Sequence, residues 1–331
     1  MEKVLFTSMK KSLVDLRILQ DLRAKGITNA MIGLYIQKEN EISFITDNHD
    51  VKDYLIKFGV KGNDIYKSDL ASYKKLFFGE LRLVMPIQRA LLRDIMLSFC
   101  GLLKFDIFIH DFHFLSKRKL LSTNENFFTK KIKKLYYFLT ISVSREIYCD
   151  STLVQRQIKK LLQRNAKMVK LVRIFKKSSI PNNLPETKPH DYLIKLDVRS
   201  YKAEWALNKL KFRDKTACVA IDKKFFYEAR KIIRQKNPFL NLIPVELHTD
   251  SQLIKAFQNS KVFLCLSRHE GFGYLPHEAQ YFGCKSLVLK TTAFLGDDSD
   301  FFKVHFYDEI EIPEAKKIPN QTIIRERVIE I

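Results

Sequence analysis

The chain lacks paired cysteines and long uncharged apolar runs. Its five cysteines stand singly, form no C-x-x-C pair and lie mostly in apolar segments. This pattern predicts buried free thiols in a reducing compartment rather than a disulfide framework. The most apolar long segment, residues 81–105, carries Arg82, Arg89, Arg93 and Asp94. Such a segment is a poor candidate for a transmembrane helix.

Signals for export and for low complexity are also missing. Residues 1–10 form a strand-like run with charge on both sides, unlike a signal peptide. No internal repeat or low-complexity tract is evident, and 46% hydrophobic with 12% aromatic residues is ordinary for a globular protein. We therefore expect a cytoplasmic protein whose 331 residues form two domains, each with its own core.

Carboxylates are scarce relative to cations, which gives a net charge of +21. Residues 1–190 hold 35 Lys and Arg against 18 Asp and Glu, a net charge of +17, while the remaining residues hold 23 against 19. The basic first half attracts phosphate-rich partners, whether nucleic acid, anionic lipid or a pyrophosphate-linked substrate. A merely solvated basic surface explains the charge equally well, so charge alone does not decide between these interpretations.

Apolar runs alternate with helical patterns twice along the chain. In the first half the patterns predict strands over 4–7, 30–36, 105–109 and 136–143 and helices over 13–25 and 150–163. In the second half they predict strands over 192–196, 217–221, 242–247 and 262–266 and helices over 203–211, 224–235 and 251–259. Strands that alternate with helices favour parallel sheets covered by helices on both faces.

A proline-rich stretch separates the two alternations. Three of the nine prolines fall within residues 178–190. Because proline interrupts helices and sheets, this stretch predicts a linker over 181–190 between one domain over 1–180 and another over 191–331.

Glycine is scarce, and its placement is informative. Of the ten glycines, Gly271, Gly273 and Gly283 fall within thirteen residues. They follow an apolar run and surround Pro276, an order that predicts a strand, a turn and a helix. Glycine at such a turn lets the backbone approach a ligand closely. The helix start offers N–H groups and a positive dipole end that suit phosphate.

Two carboxylates flank this turn, since Glu270 and Glu278 stand eight positions apart. Glu278, at the start of the helix, can accept two hydroxyl hydrogen bonds, which suits a ribose diol. Glu270, at the strand end, is placed to meet hydroxyls on the other side of the phosphates. Ligands in such folds bind beyond the carboxyl ends of the strands. Sugar, diphosphate and ribose in this order describe a nucleotide sugar.

The same segment resembles the E-x7-E signature of retaining GT-B glycosyltransferases, specifically glycosyltransferase family 4. The chain reads SRHEGFG over residues 267–273 and EAQYFG over residues 278–283, with Pro276 one place later than in the commonest version of the signature. The resemblance implies an α/β protein of GT-B fold, with two Rossmann-like domains whose parallel sheets face a central cleft. It also implies sugar transfer with retention from a nucleotide diphosphate sugar.

The resemblance further implies roles for individual residues. Glu270, His110 and Lys202 would be catalytic: Glu270 would hold the donor sugar, His110 would contact it from the opposite wall, and Lys202 would stabilise the departing diphosphate. The implied donor-binding residues are Glu278, Gly271, Phe272, Gly273, Lys195 and Arg199. Either Lys195 or Arg199 would supply the second cation at the diphosphate.

The chain departs from the family pattern in two places. The Gly-Gly loop expected after the first strand reads SMKK over residues 8–11, which leaves acceptor binding open. The tail after Asp308 is short, so we expect the helix that crosses back to the first domain only over 321–331. Residues 140–144 resemble the strand that closes the first domain.

Two other features of the sequence can be explained without a functional site. Asp111 and His113 lie beside His110, but no third ligand is spaced nearby for a metal. We expect no metal and no cofactor, with the donor linked to UDP or GDP, and we expect His269 and His277 to be structural. The basic aromatic stretch over 127–137 predicts either an amphipathic membrane-contact helix or a core-facing helix with solvated lysines.

The sequence thus predicts a retaining, metal-independent hexosyltransferase. Its acceptor would be a glycan or a lipid-pyrophosphate-linked sugar, in bacterial synthesis of lipopolysaccharide, capsule or O-antigen, with peripheral association at the inner, anionic membrane surface and no nucleic-acid partner. Two alternatives stay open: a sugar-nucleotide epimerase or phosphorylase of the same fold, and a basic non-enzymatic nucleic-acid-binding protein. The second alternative leaves the Glu270–Glu278 spacing unexplained.

Overall fold

Two compact units make up the chain in the computed structural model. The described residues are 11–16, 25–37, 41–78, 80–86, 91–109, 127–169, 173–175, 177–180, 187–195, 204–213, 216–220, 223–245, 249–266, 273–290, 301–305, 309–321 and 328–330. Those up to Ile174 belong to the first unit and those from Phe175 onward to the second. The predicted linker follows this division. Its residues 181–186 lie outside the described part, so its role stays a prediction.

The first unit contains a seven-stranded parallel sheet. Its strands are β1 (Lys11–Asp15), β2 (Ile42–Ile45), β3 (Ile65–Tyr66), β4 (Leu81–Pro86), β5 (Phe105–Ile109), β6 (Ile147–Cys149) and β7 (Lys167–Met168). They lie in the order β3-β2-β1-β4-β5-β6-β7. The order reverses between β1 and β4, as in doubly wound folds.

Six helices connect these strands. They are α1 (Lys25–Gln37), α2 (His49–Lys57), α3 (Leu70–Phe77), α4 (Leu92–Phe99), α5 (Phe127–Val143) and α6 (Thr152–Leu162). One core cluster joins Tyr73, Ile95, Ile141 and Ile158, from α3 to α6, with apolar side chains of the sheet. These four helices therefore cover the same face of the sheet.

The second unit contains a six-stranded parallel sheet. Its strands are β9 (His190–Lys195), β11 (Thr216–Ala220), β12 (Asn241–Val245), β13 (Ser260–Cys265), β14 (Lys285–Leu289) and β15 (Phe302–Val304). They lie in the order β12-β11-β9-β13-β14-β15, which is the Rossmann order 3-2-1-4-5-6 within this sheet. The helices are α7 (Glu204–Leu207), α8 (Lys223–Lys236), α9 (Asp250–Gln258) and α10 (Tyr274–Tyr281).

Four short strands complete the list of described elements. β10 (Leu210–Phe212) pairs in parallel with β16 (Ile310–Ile312), and β8 (Arg173–Phe175) and β17 (Val328–Glu330) are the other two. The helix predicted over 321–331 is therefore wrong at residues 328–330, which form a strand, and residues 322–327 lie outside the described part.

A buried charge network crosses the amino ends of three strands in the first unit. Arg82 on β4 donates to Asp106 on β5 and to Glu146, which precedes β6. Glu146 also accepts from Tyr148, at 2.6 Å, and pairs with Lys167 at 2.8 Å. Burial alone would raise the pKa of Glu146, but the hydrogen bonds from Lys167, Tyr148 and Arg82 outweigh it and lower the pKa to about 2. Since ligands bind at the opposite edge of such sheets, this network is structural.

The sequence-based assignment is wrong near the start of the chain. Residues 13–15, predicted as helical, belong to strand β1, and residues 30–36, predicted as a strand, belong to helix α1. β1 is buried along its described length from Ser12 to Asp15, so it lacks the alternation that identifies a half-exposed strand. The last residue of the segment 8–11 is the first residue of β1, and the predicted strand over 4–7 lies outside the described residues.

The strand predicted over 136–143 is also wrong, because these residues end the seventeen-residue helix α5. Tyr, Phe, Thr, Ile and Val favour strands, but tertiary packing overrides this weak preference. The hydroxyls of Thr140 and Ser142 donate to the carbonyls of Tyr136 and Phe138, four residues earlier, at 2.8 Å. The strand that follows is β6, three residues beyond α5.

Most of the remaining element predictions are confirmed. Strand β5 has the predicted bounds, and α6 begins after Ser151, whose side chain accepts from the Val154 N–H at 3.2 Å. In the second unit β9, β11, β12, β13, α8 and α9 lie within about two residues of their predicted positions, counting only described residues. The predicted helix over 203–211 is shorter, because α7 ends at Leu207 and β10 begins at Leu210.

The cysteine prediction holds for three side chains. Cys149, Cys265 and Cys284 are buried free thiols, whereas Cys100 is exposed. Burial raises the pKa of Cys149 and of Cys284 to about 12.

Within the described ranges, no helix has both the length and the apolar character needed to cross a bilayer.

Candidate functional site

The candidate site begins at the carboxyl end of β13, in the middle of the second sheet. From Val262 onward β13 is a continuous apolar run, typical of a parallel sheet covered on both faces, and Phe263, Leu264 and Leu266 are buried. Its neighbour is β9, with Leu264 opposite Ile194. The strand order reverses between β9 and β13. Because the connections leave these two strands in opposite directions, a crevice for ligands forms at their carboxyl ends.

Helix α10 begins on the same side as this crevice. Gly273 is its N-cap and adopts the left-handed conformation with φ +79° and ψ +65°. Glycine adopts this conformation without the steric cost that a Cβ atom imposes. The start of α10 is therefore a helix N-terminus at the ligand-binding edge, and the positive dipole end of a helix favours an anion.

Glu278 lies one turn further along, as the fifth residue of α10. The helix starts at Tyr274, two residues before Pro276, so Glu278 is not in the first turn as predicted. Its side chain is only 3% exposed. Removing a carboxylate from water is costly, so a buried glutamate needs polar partners to hold it. A buried carboxylate on a helix at the ligand-binding edge is a strong functional candidate.

Polar contacts fix α10 against the neighbouring strand β14. The Ser286 hydroxyl donates to the Pro276 carbonyl at 2.6 Å. The Gln321 amide bridges the two elements, because its oxygen accepts from Gln280 at 3.0 Å and from the Ser286 N–H at 2.7 Å, and its nitrogen donates to the Ser286 carbonyl at 2.8 Å. Such contacts hold Glu278 and the helix start in a defined position.

The far end of α10 is equally defined. Gly283 follows the helix with φ +78°, its N–H donates to Gln280, and the Cys284 N–H donates to Ala279. These two bonds form a Schellman motif, which requires a residue in the left-handed region. Gly283 thus ends the helix, whereas Gly273 begins it. Of the three clustered glycines, these two have conformational roles, and Gly271 lies outside the described residues.

The structure describes only part of the predicted site. It places Gly273 and Glu278 on α10 and Lys195 as the last residue of β9, the strand beside β13. The backbone of Lys195 therefore lies at the same sheet edge as the start of α10. The other predicted residues lie outside the described part: Glu270, His110, Lys202, Gly271, Phe272 and Arg199.

His277 is described, and its surroundings are apolar. The side chain is 4% exposed, and its ring centroid lies 4.7 Å from that of Phe301. This contact agrees with the structural role expected for His277. His269 lies outside the described residues.

Two buried carboxylates in the first unit were not identified from the sequence. Asp15 ends β1 and Asp150 follows β6, and both are about 1% exposed. They lie at the carboxyl edge of the first sheet, the edge where α/β folds bind ligands. An acidic residue directly after an apolar run was the available signal. Asp15 was obscured by the wrong helix over 13–25, and Asp150 by its interpretation as a helix start.

A search for metal ligands gives no candidate in the part of the chain that is described. No group of three His, Cys, Asp or Glu side chains there could hold an ion. The predicted neighbours of His110, which are Asp111 and His113, lie outside that part. Metal independence therefore stays a prediction.

Comparisons with known proteins identify the fold. No protein-family model and no curated protein sequence matches the chain. Solved structures do: Anabaena Alr3699/HepE in complex with UDP and glucose matches with a TM-score of 0.59 at 14% identity, covering 89% of this chain and 86% of that one. A glycosyltransferase from Rickettsia africae matches with a TM-score of 0.55 at 11% identity, covering 90% and 85%.

A plant enzyme has the same architecture. The catalytic domain of Arabidopsis thaliana starch synthase IV, bound to ADP and acarbose, matches with a TM-score of 0.50 at 8% identity, covering 90% of this chain and 88% of that one. Similarity at such low identity establishes the fold and not the activity. The chain has the GT-B fold, as its two parallel sheets and their strand orders independently indicate.

Proposed function

We propose that this protein is a glycosyltransferase that binds a nucleotide diphosphate sugar at the second unit. The observation that carries the proposal is the position of Glu278 and of the start of α10. Glu278 and the N-terminus of α10 lie at the carboxyl edge of the central strands β9 and β13, where the strand order reverses. In a GT-B chain this edge suits a ligand with a diphosphate and a ribose.

The proposed reaction exchanges one bond at the sugar. The bond between the anomeric carbon and the diphosphate oxygen breaks, and a bond to an acceptor hydroxyl oxygen forms with the same stereochemistry. The hydroxyl proton leaves with the nucleoside diphosphate. Negative charge develops on the departing diphosphate, so the N–H groups at the start of α10 would stabilise it together with Lys202 and either Lys195 or Arg199. No metal is required in this scheme.

The remaining roles follow the family resemblance. Glu278 would accept hydrogen bonds from the ribose hydroxyls, Glu270 from the donor sugar, and His110 would contact that sugar from the first unit. We propose a UDP- or GDP-linked hexose as donor. Support for a uridine nucleotide comes from HepE, which was solved with UDP and with UDP-glucose. The proposed acceptor is a glycan or a lipid-pyrophosphate-linked sugar of bacterial surface polysaccharide synthesis, which would place the protein at the inner face of the membrane.

A thermal-shift panel of nucleotide sugars tests this proposal. A ligand that binds only the folded chain stabilises it by mass action, by about 2.7 kcal/mol at a hundred times its Kd. We expect the nucleotide sugars of one nucleoside, uridine or guanosine, to raise the melting temperature clearly more than those of the other, with and without EDTA. Free sugars without a nucleotide serve as the control. If no nucleotide sugar stabilises the chain, the proposal fails, and conversion of the sugar without an acceptor would indicate an epimerase instead.

A further inference from the structure

The first unit carries an exposed apolar surface on one side of its sheet. Fourteen large apolar side chains are exposed among the described residues, and eleven of them lie on α3, α4, α5 and α6 or within three residues of their ends. We call this outward side of the four helices the four-helix face. Contiguous exposed apolar surface of this kind marks an interaction site.

The apolar side chains are aligned along the two central helices. Leu92, Met96 and Phe99 stand at intervals of four and three residues on α4, on the side opposite the buried Asp94. This spacing forms one stripe along a helix. All three side chains are more than half exposed.

A second stripe runs along the neighbouring helix α5. Ile132, Leu135 and Phe138 follow at intervals of three residues and are each more than half exposed, whereas Thr140 and Ile141 are buried. The two helices are in contact, because the Ser98 hydroxyl on α4 donates to the Val143 carbonyl on α5 at 3.3 Å. The two stripes therefore lie on neighbouring helices of the sheet.

The topology places both helices on the same side of the sheet. Right-handed crossovers place α3, α4, α5 and α6 on one face of the sheet and α1 and α2 on the other. The shared core cluster agrees with this arrangement. The exposed side chains of the two stripes are the part of α4 and α5 that a partner can reach.

The charge of the four-helix face indicates an anionic partner. The four helices contain ten Lys and Arg residues and a single carboxylate, Asp94, which is fully buried. Exposed cations include Lys75, Lys131, Lys134 and Lys159. Apolar side chains beside cations, with no exposed carboxylate on these helices, are suited to the interface of an anionic membrane.

We propose that the four-helix face docks on anionic phospholipid, with Leu92, Met96, Phe99, Ile132, Leu135 and Phe138 entering the boundary between headgroups and acyl chains. A second copy of the chain fits less well, since two such faces would oppose like charges. Nucleic acid would use the cations and leave the aliphatic side chains without a role. The inference rests on the proposed function, which already places the protein at the inner face of the membrane, and it names the surface that docks there. Docking itself requires neither nucleotide nor sugar transfer, so failure of the vesicle test and failure of the nucleotide-sugar test are distinguishable.

Vesicle co-sedimentation of the full chain tests the docking. We expect binding to vesicles of equal parts phosphatidylglycerol and phosphatidylcholine and far weaker binding to phosphatidylcholine alone. The variant Leu92→Ser/Met96→Ser/Phe99→Ser should lower the affinity at least about tenfold, since it removes three side chains from the apolar stripe. The variant Lys131→Gln/Lys134→Gln should lower it about thirtyfold, and added salt should act in the same direction.

Control variants replace exposed apolar residues elsewhere. Ile56→Ser on α2, on the opposite face of the same sheet, and Phe239→Ser in the second unit should leave vesicle binding unchanged. The melting temperature of each variant shows that it is folded. The inference is overturned if the wild-type chain does not bind anionic vesicles, or if the stripe variant binds as the wild type does. Stripe-dependent dimerisation or RNA binding without vesicle binding would also overturn it.

Discussion

Replacing Glu270 with alanine is expected to lower the rate of sugar transfer by about a hundredfold or more while the chain stays folded. In the proposed site this carboxylate accepts charge-assisted hydrogen bonds from the donor sugar. Such bonds are the strong ones, and they hold the anomeric carbon against its acceptor. Loss of position at the reacting carbon lowers kcat as well as kcat/KM. The measurement is release of nucleoside diphosphate with the donor that the thermal-shift panel selects.

The matched control for this variant is Glu311→Ala. Glu311 is a glutamate of the same unit whose side chain is 60% exposed and pairs with Arg213 at 3.2 Å. It should retain wild-type activity. Circular dichroism of both variants checks that secondary structure is preserved. Wild-type turnover by Glu270→Ala would exclude Glu270 from the site, and with it the donor assignment that rests on the signature.

The largest expected effect on stability belongs to Arg82. Arg82→Met leaves Asp106, which is fully buried, and Glu146 without their shared cation. Breaking a buried pair by removing one partner typically costs about 3–5 kcal/mol, because the remaining charge stays buried. We expect a loss of this size in the unfolding free energy of the first unit, measured by urea denaturation and circular dichroism. Fluorescence of Trp205, the single tryptophan, reports on the second unit separately.

The control for Arg82→Met is Arg213→Met, which removes an exposed pair and should cost less than about 1 kcal/mol.

The network also predicts that the free energy of unfolding falls at acid pH. The pKa of Glu146 is lowered from 4.5 to about 2, so the stability from its ionised form is complete above about pH 4.5 and is lost as the pH falls toward 2. Glu146→Gln should flatten the stability curve in this window. Equal stability of Arg82→Met and the wild type would contradict the account of the network.

The second unit was the more predictable half of the fold. Its strands and helices are separated by turns with clear signals, such as Thr249, which caps α9 in a capping box with Gln252. In the first unit local signals and tertiary packing disagree. α1 contains Gly26 and Gly33 with several β-branched residues, yet Met31, Ile32 and Tyr35 are buried, and this packing sustains a helix.

The candidate-site residues that lie close together along the sequence could be predicted. Gly273 and Glu278 follow the end of β13 within thirteen residues, so the local pattern of glycine, proline and glutamate identified them. The contact of Gln321 could not be predicted from the sequence, because Gln321 lies 41 residues from the Gln280 that it contacts. The part of the four-helix face on α5 was predicted as one of two interpretations of the basic aromatic stretch over 127–137. The part on α4 was not predicted, because residues 81–105 were considered only as a transmembrane helix.

Calorimetric titration of UDP- and GDP-linked hexoses into the wild type and Glu278→Gln tests the central claim most directly. Hydrogen bonds to a charged group are worth about 1.5–3 kcal/mol, so losing the carboxylate charge should weaken binding of the preferred nucleotide sugar at least about tenfold. Glu311→Gln should bind as the wild type does. The account predicts saturable wild-type binding that depends on Glu278. No binding of any nucleotide sugar, or equal affinity in Glu278→Gln, would contradict it.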